Sequence, residues 1–444
     1  MTAPEAFAVP EALAVPEALA VPELLAGEDD PLLIVIGTGK QAFREYLLSS
    51  IASRYRVHLL CGAEPGWARG YLASWTVLDM DDTIDASQMC AVARALAAKQ
   101  AVHGVLSWDE ARILQSATVA EALGLPGGDP DMVMRCRDKY LTRGALDEGG
   151  VPQPRSVLVA DLSQAAAIAG QFGYPVVLKP RAMGGSLGVV RADSPLELAA
   201  KFEFARDCEV PGSWRYDEGV LVEEYVAGPE ISVDSAVHRG EVLPMFVARK
   251  EIGYPPYFEE VGHVVDAADP LLKDPELASV MRAAHEALGF TDGITHAEYK
   301  LTPDGPKVIE VNARLGGDLI PYLGLLGSGI DPGLAAAAVA CGQRPELTSY
   351  RSEVTGVRFF YAPEDDTTIE AIRFEAAALL PETDLAVTLV GPGDVMSPPP
   401  KGTMSGRVAF ATVRAGTVAA CQAALDAAGA ALVIQTAAGA AASS

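Results

Sequence analysis

The run from His296 to Arg314 concentrates residues that could hold a metal ion. Two apolar-flanked segments, Ile294 to Leu301 and Lys307 to Val311, are joined by Thr302, Pro303, Asp304, Gly305 and Pro306. Asp-Gly between alternating segments is a strong hairpin signal. Side chains two apart on a strand share a face, so Glu310 and Asn312 point the same way. Glu298, on the other strand, can lie beside them. Two carboxylates and an amide oxygen on rigid strands suit Mg²⁺, which takes few protein ligands and completes its octahedron with phosphate oxygens. A solvated hairpin face with two ordinary glutamates fits the same pattern.

A second stretch, Gly173 to Val190, offers a site for anions. A strand brings Lys179 to its end, and Gly184, Gly185, Ser186, Leu187 and Gly188 turn the chain back. Glycines let backbone N–H groups converge into a nest and let the chain close on phosphates. Lys179 would add a point charge. An ordinary glycine hairpin loop is the other reading. A third stretch, Val220 to Asp234, is a strand, a Gly228-Pro229 turn and a strand. Glu223, Glu224, Tyr225 and Val226 could offer backbone groups and a carboxylate to an adenine edge, and Glu230 could accept from ribose hydroxyls.

These stretches need elements to hold them. Leu32 to Ile36 is a continuous apolar run, as in a buried parallel strand. Gly37, Thr38 and Gly39 follow, then a helical stretch to Ser53. Tyr55 to Leu60 and Val102 to Leu106 read as further strands, with helices around Ala91 to Lys99 and Ala111 to Leu123. This alternation predicts a doubly wound α/β domain over residues 30–130. The glycines of Gly37-x-Gly39-x-x-Ala42 meet a loose dinucleotide fingerprint. The second strand, however, ends without the acid that would bind a ribose hydroxyl, so they read as a tight turn. Two short helices are expected over 131–150, around Asp138 and Lys139. A second α/β unit is expected from about 155 to 225, with strands at Ser156–Ala160, Pro175–Pro180 and Val220–Val226. A helix near Gly333–Cys341 and a last βαβ-like segment over 350–436, with Thr417–Ala428 as its helix, complete the reading.

In this order the motifs resemble the ATP-grasp superfamily: Asp138-Lys139, Lys179 with its glycine loop, Glu223 to Val226 with Glu230, then Glu298 followed by Glu310, Asn312 and Arg314. The resemblance spans residues 30–436. It implies an ATP-grasp fold of an N-terminal α/β domain (30–130), a central lid domain (131–228) and a C-terminal metal-binding domain (229–436), after a leader (1–29) and before a tail (437–444). ATP would lie between the last two domains. Lys139, Lys179, Gly184, Gly185 and Ser186 would bind phosphates, and Glu223, Val226 and Glu230 would hold adenosine. Glu298, Glu310 and Asn312 would bind two Mg²⁺, with Mn²⁺ as a substitute.

Within that superfamily the chain looks most like the L-amino acid ligases. A lysine, an aromatic and proline segment, and Glu-x-x-His run from Arg249 to His263 and match the segment that lines the amino-acid pocket. The match implies Lys250 as a phosphate or substrate contact and Glu260 and His263 as pocket residues. Arg314, with Gly317 and Asp318 beside it, would hold the substrate carboxylate. A loop histidine with a purely structural role is the other reading of His263. The family's proline after this element is absent, since Val264, Val265 and Asp266 follow His263.

The implied reaction converts a carboxylate, an amine and ATP to an amide, ADP and phosphate through an acyl phosphate. Arg314, His263 and Lys179 would be its catalytic residues. Two competitors share the nucleotide site: a biotin-carboxylase-like enzyme that activates bicarbonate, and a non-catalytic ATP sensor. A carrier protein as acceptor and a homodimer both remain open.

Composition bounds these readings. The chain has 444 residues, half of them apolar and 21% charged, with a net charge of −25. That charge argues against nucleic acid or an anionic membrane surface as partner. Six scattered cysteines without a Cys-x-x-Cys pair argue against disulfide or zinc frameworks and fit a reducing cytoplasm. No run of about 18 apolar residues suggests a transmembrane helix. The hexamer Pro-Glu-Ala-Leu-Ala-Val and its variants repeat from Pro4 to Pro22, which no long helix tolerates. The segment reads as a dispensable low-complexity leader without the basic start of a signal peptide.

Overall fold

The computed structural model describes residues 25–80, 84–182, 184–208 and 219–437. Most of the expected leader and tail, and Met183 of the glycine loop, lie outside the described residues.

The N-terminal sheet has four parallel strands in the order Ser74–Val77, Arg56–Cys61, Leu32–Ile36, Gly104–Leu106. All five residues of Leu32–Ile36 are buried. Leu33 and Val35 pack with Leu47, Leu48 and Ile51 of helix Gln41–Ala52. Ile34 and Ile36 pack on the other face with Met89, Ala93 and Val119 of helices Ser87–Ala97 and Ile113–Leu123. Two covered faces explain why the strand reads as an unbroken apolar run. Strand order reverses between Leu32–Ile36 and Gly104–Leu106, which opens a crevice at the strands' carboxyl ends.

The central sheet differs from the expected α/β unit. Its four strands, in the order Ser156–Val159, Val220–Glu224, Val176–Pro180, Val190–Ala192, pair antiparallel throughout. Short strands beside helices carry the same apolar pattern whichever way they pair, so the spacing could not give direction. Val176, Leu178, Val220 and Val222 bury against Ala165, Ala169, Leu198 and Phe202 of helices Leu162–Phe172 and Pro195–Arg206. The alternation of the strands therefore places Lys179 and Glu223 on the opposite face.

An eight-stranded antiparallel sheet forms the C-terminal body. Its order is Gly305–Asn312, Gly293–Thr302, Glu230–His238, Glu241–Gly253, Glu259–Asp266, Val354–Tyr361, Arg407–Ala415, Thr383–Thr388. The Asp304-Gly305 turn closes the expected hairpin, with Gly305 at φ +101°. The last segment is not βαβ. Helix Val418–Ala431 links Arg407–Ala415 of the large sheet to Leu432–Thr436 of a separate three-stranded sheet. It covers the large sheet through Cys421, Ala424 and Leu425, against Val264, Val354 and Val413. All six cysteines are free thiols. Among the described residues no single helix is long and apolar enough to cross a membrane.

Candidate active site

Strand register sets the carboxylate face. Glu298 lies opposite Glu310, and His296 opposite Asn312, so these four side chains share one face of the hairpin. Cations gather on it. Lys139 Nζ lies 3.4 Å from Glu310, and Lys250 Nζ 2.7 Å from Glu298. His296 holds Asp234 through Nδ1 at 2.6 Å and faces Glu298 through Nε2 at 3.3 Å. The other Asp234 oxygen accepts from the Gly316 amide at 2.8 Å. Burial opposes charge on His296, but the two carboxylates overcome it and raise its pKa to about 9. Burial likewise opposes ionisation of Glu298, and Lys250 and His296 hold it well below the usual carboxylate range.

Lys250 is the hub of this face. Its side chain is wholly buried, and its ammonium meets Glu260 at 2.7 Å, Glu298 at 2.7 Å and Glu230 at 3.4 Å. Burial alone would discharge it, yet the three carboxylates raise its pKa well above that of a free lysine. Lys300 is a second partner of Glu230, at 2.9 Å.

The residues expected to bind phosphate converge from the central sheet and its glycine loop. Lys179 Nζ meets Glu223 at 2.7 Å, and Arg143 grips the same carboxylate at 2.7 and 3.1 Å. Burial brings Lys179 down to about 8. It opposes ionisation of Glu223, which Arg143 and Lys179 nevertheless hold at about 2. The Glu223 carboxylate is thus committed to two cations. Gly185, Ser186 and Gly188 all adopt positive φ, between +57° and +74°. A Cβ on Gly184 would come within 3.9 Å of Arg314 Nη2 and Glu110, so the loop lies over that side of the crevice. Val226 is buried just past strand Val220–Glu224.

The residues expected to line an amino-acid pocket come from well-separated parts of the chain. Arg314 Nε meets Glu110 at 2.5 Å, and Arg137 stands 3.5 Å from the same carboxylate. Glu110 follows strand Gly104–Leu106, at the crevice where strand order reverses. That position, just past an apolar strand's carboxyl end, was the sequence signal that could have found it. His263 is fully buried, with Nε2 at 3.3 Å from Glu260 and 3.5 Å from Asp318. Arg407 grips Asp318 at 2.6 and 2.8 Å. Burial opposes the Asp318 charge, and Arg407 holds it well below the usual range. Gly317 faces open space. Sequence reading missed Glu110, Arg143, Asp234, His296 and Arg407, each of which acts through a partner distant in the chain or on another strand.

Two cations from the central region, a carboxylate face and the half-buried Arg314 thus meet in one crevice between three sheets. The ATP-grasp domain matches residues 172–321, which include Lys179, Glu230, Glu298, Glu310 and Arg314. Over those residues the chain is similar to the ATP-grasp domain. The chain as a whole is similar in fold to the crystal structure of an L-amino acid ligase from Bacillus licheniformis. That likeness has a TM-score of 0.74 at 22% identity and covers 91% of this chain and 98% of that one. It is 28% identical to an uncharacterized protein of Sinorhizobium fredii, over 81% of this chain and 74% of that protein. It is 29% identical to human carnosine synthase 1 over 54% of this chain, but spans only 31% of that protein's length.

Proposed function

We propose that this chain is an ATP-dependent carboxylate–amine ligase that joins an amino acid, or a related carboxylate, to an amino acid or amine. The observation that carries the reading is the meeting of Arg314, Glu110, Glu260 and His263 with the carboxylate face of Glu298 and Glu310. An ATP site beside an ammonium- and carboxylate-binding pocket suits acyl phosphate chemistry. The names of the relatives, an L-amino acid ligase and a carnosine synthase, agree with it.

Glu298, Glu310 and Asn312 fit Mg²⁺ or Mn²⁺, because their oxygens share one face and two of them already sit against ammonium groups. Two such ions, when bound, would neutralise charge on the β- and γ-phosphate oxygens. Lys139, Lys179 and the amides of Gly184, Gly185 and Ser186 hold the phosphates in line with the attacking carboxylate oxygen. Glu230 and the backbone at Val226 hold adenosine. Glu223 serves this site by fixing Lys179.

The first step transfers the γ-phosphoryl group to the carboxylate and releases ADP. Arg314, oriented by Glu110, grips the carboxylate and then the oxyanion that forms when the amine attacks the acyl carbonyl. Glu260 attracts the substrate ammonium. His263 takes the amine's proton at Nε2, and phosphate leaves. The glycine loop over Arg314 keeps water from the acyl phosphate. The free thiols fit a reducing cytoplasm.

The test is ADP release across amino acids, singly and in pairs, with the amide identified by mass spectrometry. One amide per ADP supports the ligase. ADP release that needs bicarbonate alone would move the chain to the carboxylase class, and nucleotide binding without turnover would make it a sensor.

A further inference from the structure

Arg407 begins strand Arg407–Ala415, far beyond the residues that match the ATP-grasp domain. It is 5% exposed and lies beside the amino-acid pocket. Its guanidinium takes both oxygens of Asp318 and donates to the Glu260 carbonyl at 3.0 Å. It stacks 3.8 Å over the Phe359 ring. Its Nε faces the Tyr361 hydroxyl at 3.2 Å, and that hydroxyl shares a 2.6 Å hydrogen bond with Glu259. Four of these groups come from the strands Glu259–Asp266 and Val354–Tyr361, and Asp318 from the loop after Arg314.

The arrangement solves a problem that the pocket creates. Asp318 has φ +50° and the next residue, Leu319, φ +65°, both unfavourable for residues with a Cβ. Asp318 also brings a third carboxylate toward Glu259 and Glu260. Lys250 already pairs with Glu260, but without Arg407 the Asp318 and Glu259 charges would lose their cation and the loop would relax. With Arg407 in place, Asp318 and Glu260 flank His263 Nε2 from two sides, at 3.5 and 3.3 Å. A substrate ammonium in that space meets carboxylate oxygens from both. Arg407 stands behind them and is not itself aimed at the reacting atoms.

We propose that Arg407 is a positioning residue that sets amino-acid specificity, by clamping Asp318 opposite Glu260 so that the two carboxylates seat the substrate's ammonium group. The inference rests on the ligase reading. It assigns one wall of the substrate pocket to the C-terminal segment outside the matched domain. Arginine suits the role because its planar fork fixes a carboxylate's orientation, which a lysine ammonium does not.

The experiment measures KM for ATP and for each amino acid, with thermal stability, in wild type, Arg407→Lys, Arg407→Met, Asp318→Asn and the double variant Arg407→Met/Asp318→Asn. Arg407→Met should raise KM for the ammonium-seated amino acid at least about tenfold and leave KM for ATP within about twofold. Arg407→Lys should recover part of that loss. In the Asp318→Asn background, adding Arg407→Met should change KM by less than about threefold, because the clamp acts through Asp318. If Arg407→Met leaves too little folded protein, Arg407→Lys, and the double variant, which leaves only Glu259 without Arg407, still decide. Equal losses for ATP and amino acid, no change in either, or additive effects in the double variant would overturn the proposal. Absence of any amide from wild type would overturn the ligase reading, and this inference with it.

Discussion

Lys250 shows how a charged residue can be wholly buried and still be ionised. Three carboxylates share its ammonium, and their attraction outweighs the burial that opposes it. Removing the lysine would leave Glu230, Glu260 and Glu298 together without their common cation. Breaking a buried pair in this way typically costs about 3–5 kcal/mol. Lys250→Met should therefore lower thermal stability strongly, and Mg²⁺ should restore more of it than Mg²⁺ adds to wild type. Melting curves with and without Mg²⁺ check this, and an equal gain in both proteins would mean that the carboxylates do not gather a cation. Arg314 gives a second residue-scale expectation. Its fork is engaged by Glu110, so Arg314→Lys should depress amide formation far more than ATP affinity. Parallel losses in the two titrations would place Arg314 in the nucleotide site or the fold.

At the scale of elements, tight approaches of backbone fix how the central sheet meets the large one. Gly228 lies between strand Val220–Glu224 and strand Glu230–His238 and has φ +137°. A Cβ there would stand 2.1 Å from the Leu301 carbonyl oxygen, on the carboxylate hairpin. No side chain can rotate away from that clash, because both partners are backbone. Gly228→Ala should cost on the order of 2–3 kcal/mol and displace Glu230 relative to Glu298. Denaturant unfolding with a paired ATP titration should record both effects. Wild-type stability in the variant would show that the turn adjusts freely. The glycine loop behaves differently. The atoms nearest a Cβ on Gly185 belong to the flexible Met404 side chain, so left-handed backbone is the main constraint there.

At the scale of the whole molecule, pH dependence follows from buried groups both away from the crevice and beside it. His285 is buried in helix Pro275–Leu288, with Nδ1 2.7 Å from the Met281 carbonyl and Nε2 2.9 Å from Thr295 Oγ1. Nδ1–H donates to the carbonyl and Nε2 accepts from the hydroxyl, so the neutral ring is fully bonded. Burial lowers its pKa to about 4. The unfolded chain therefore binds a proton first as pH falls. The stability tied to neutral His285 is complete above about 6.5 and is lost as pH falls toward about 4, by on the order of 3 kcal/mol. Glu259 works in the opposite sense, since burial pushes it up to about 7 and its share is lost as pH rises from about 4.5 to 7. Between pH 7 and pH 4.5, His285→Leu should lose less stability than wild type. Unfolding curves at the two pH values test this, and equal losses would remove His285 from the account.

The sequence by itself determined what neighbouring positions can express. A strand alternates its side chains, so Glu310 and Asn312 had to share a face, and Asp304-Gly305 had to bring Glu298 opposite them. The unbroken apolar run Leu32–Ile36 likewise required a strand covered on both sides. Tertiary structure alone decided which distant charges meet. Glu110 reaches Arg314, Arg143 and Lys179 share Glu223, and Arg407 reaches Asp318, each across long stretches of chain. It also decided that the central strands run antiparallel and that the last helix joins two sheets. Local spacing fixes the face on which a side chain stands, whereas the partner on that face depends on how the chain crosses over. A charged residue gives no local sign of its partner, because an ion pair needs only proximity in space.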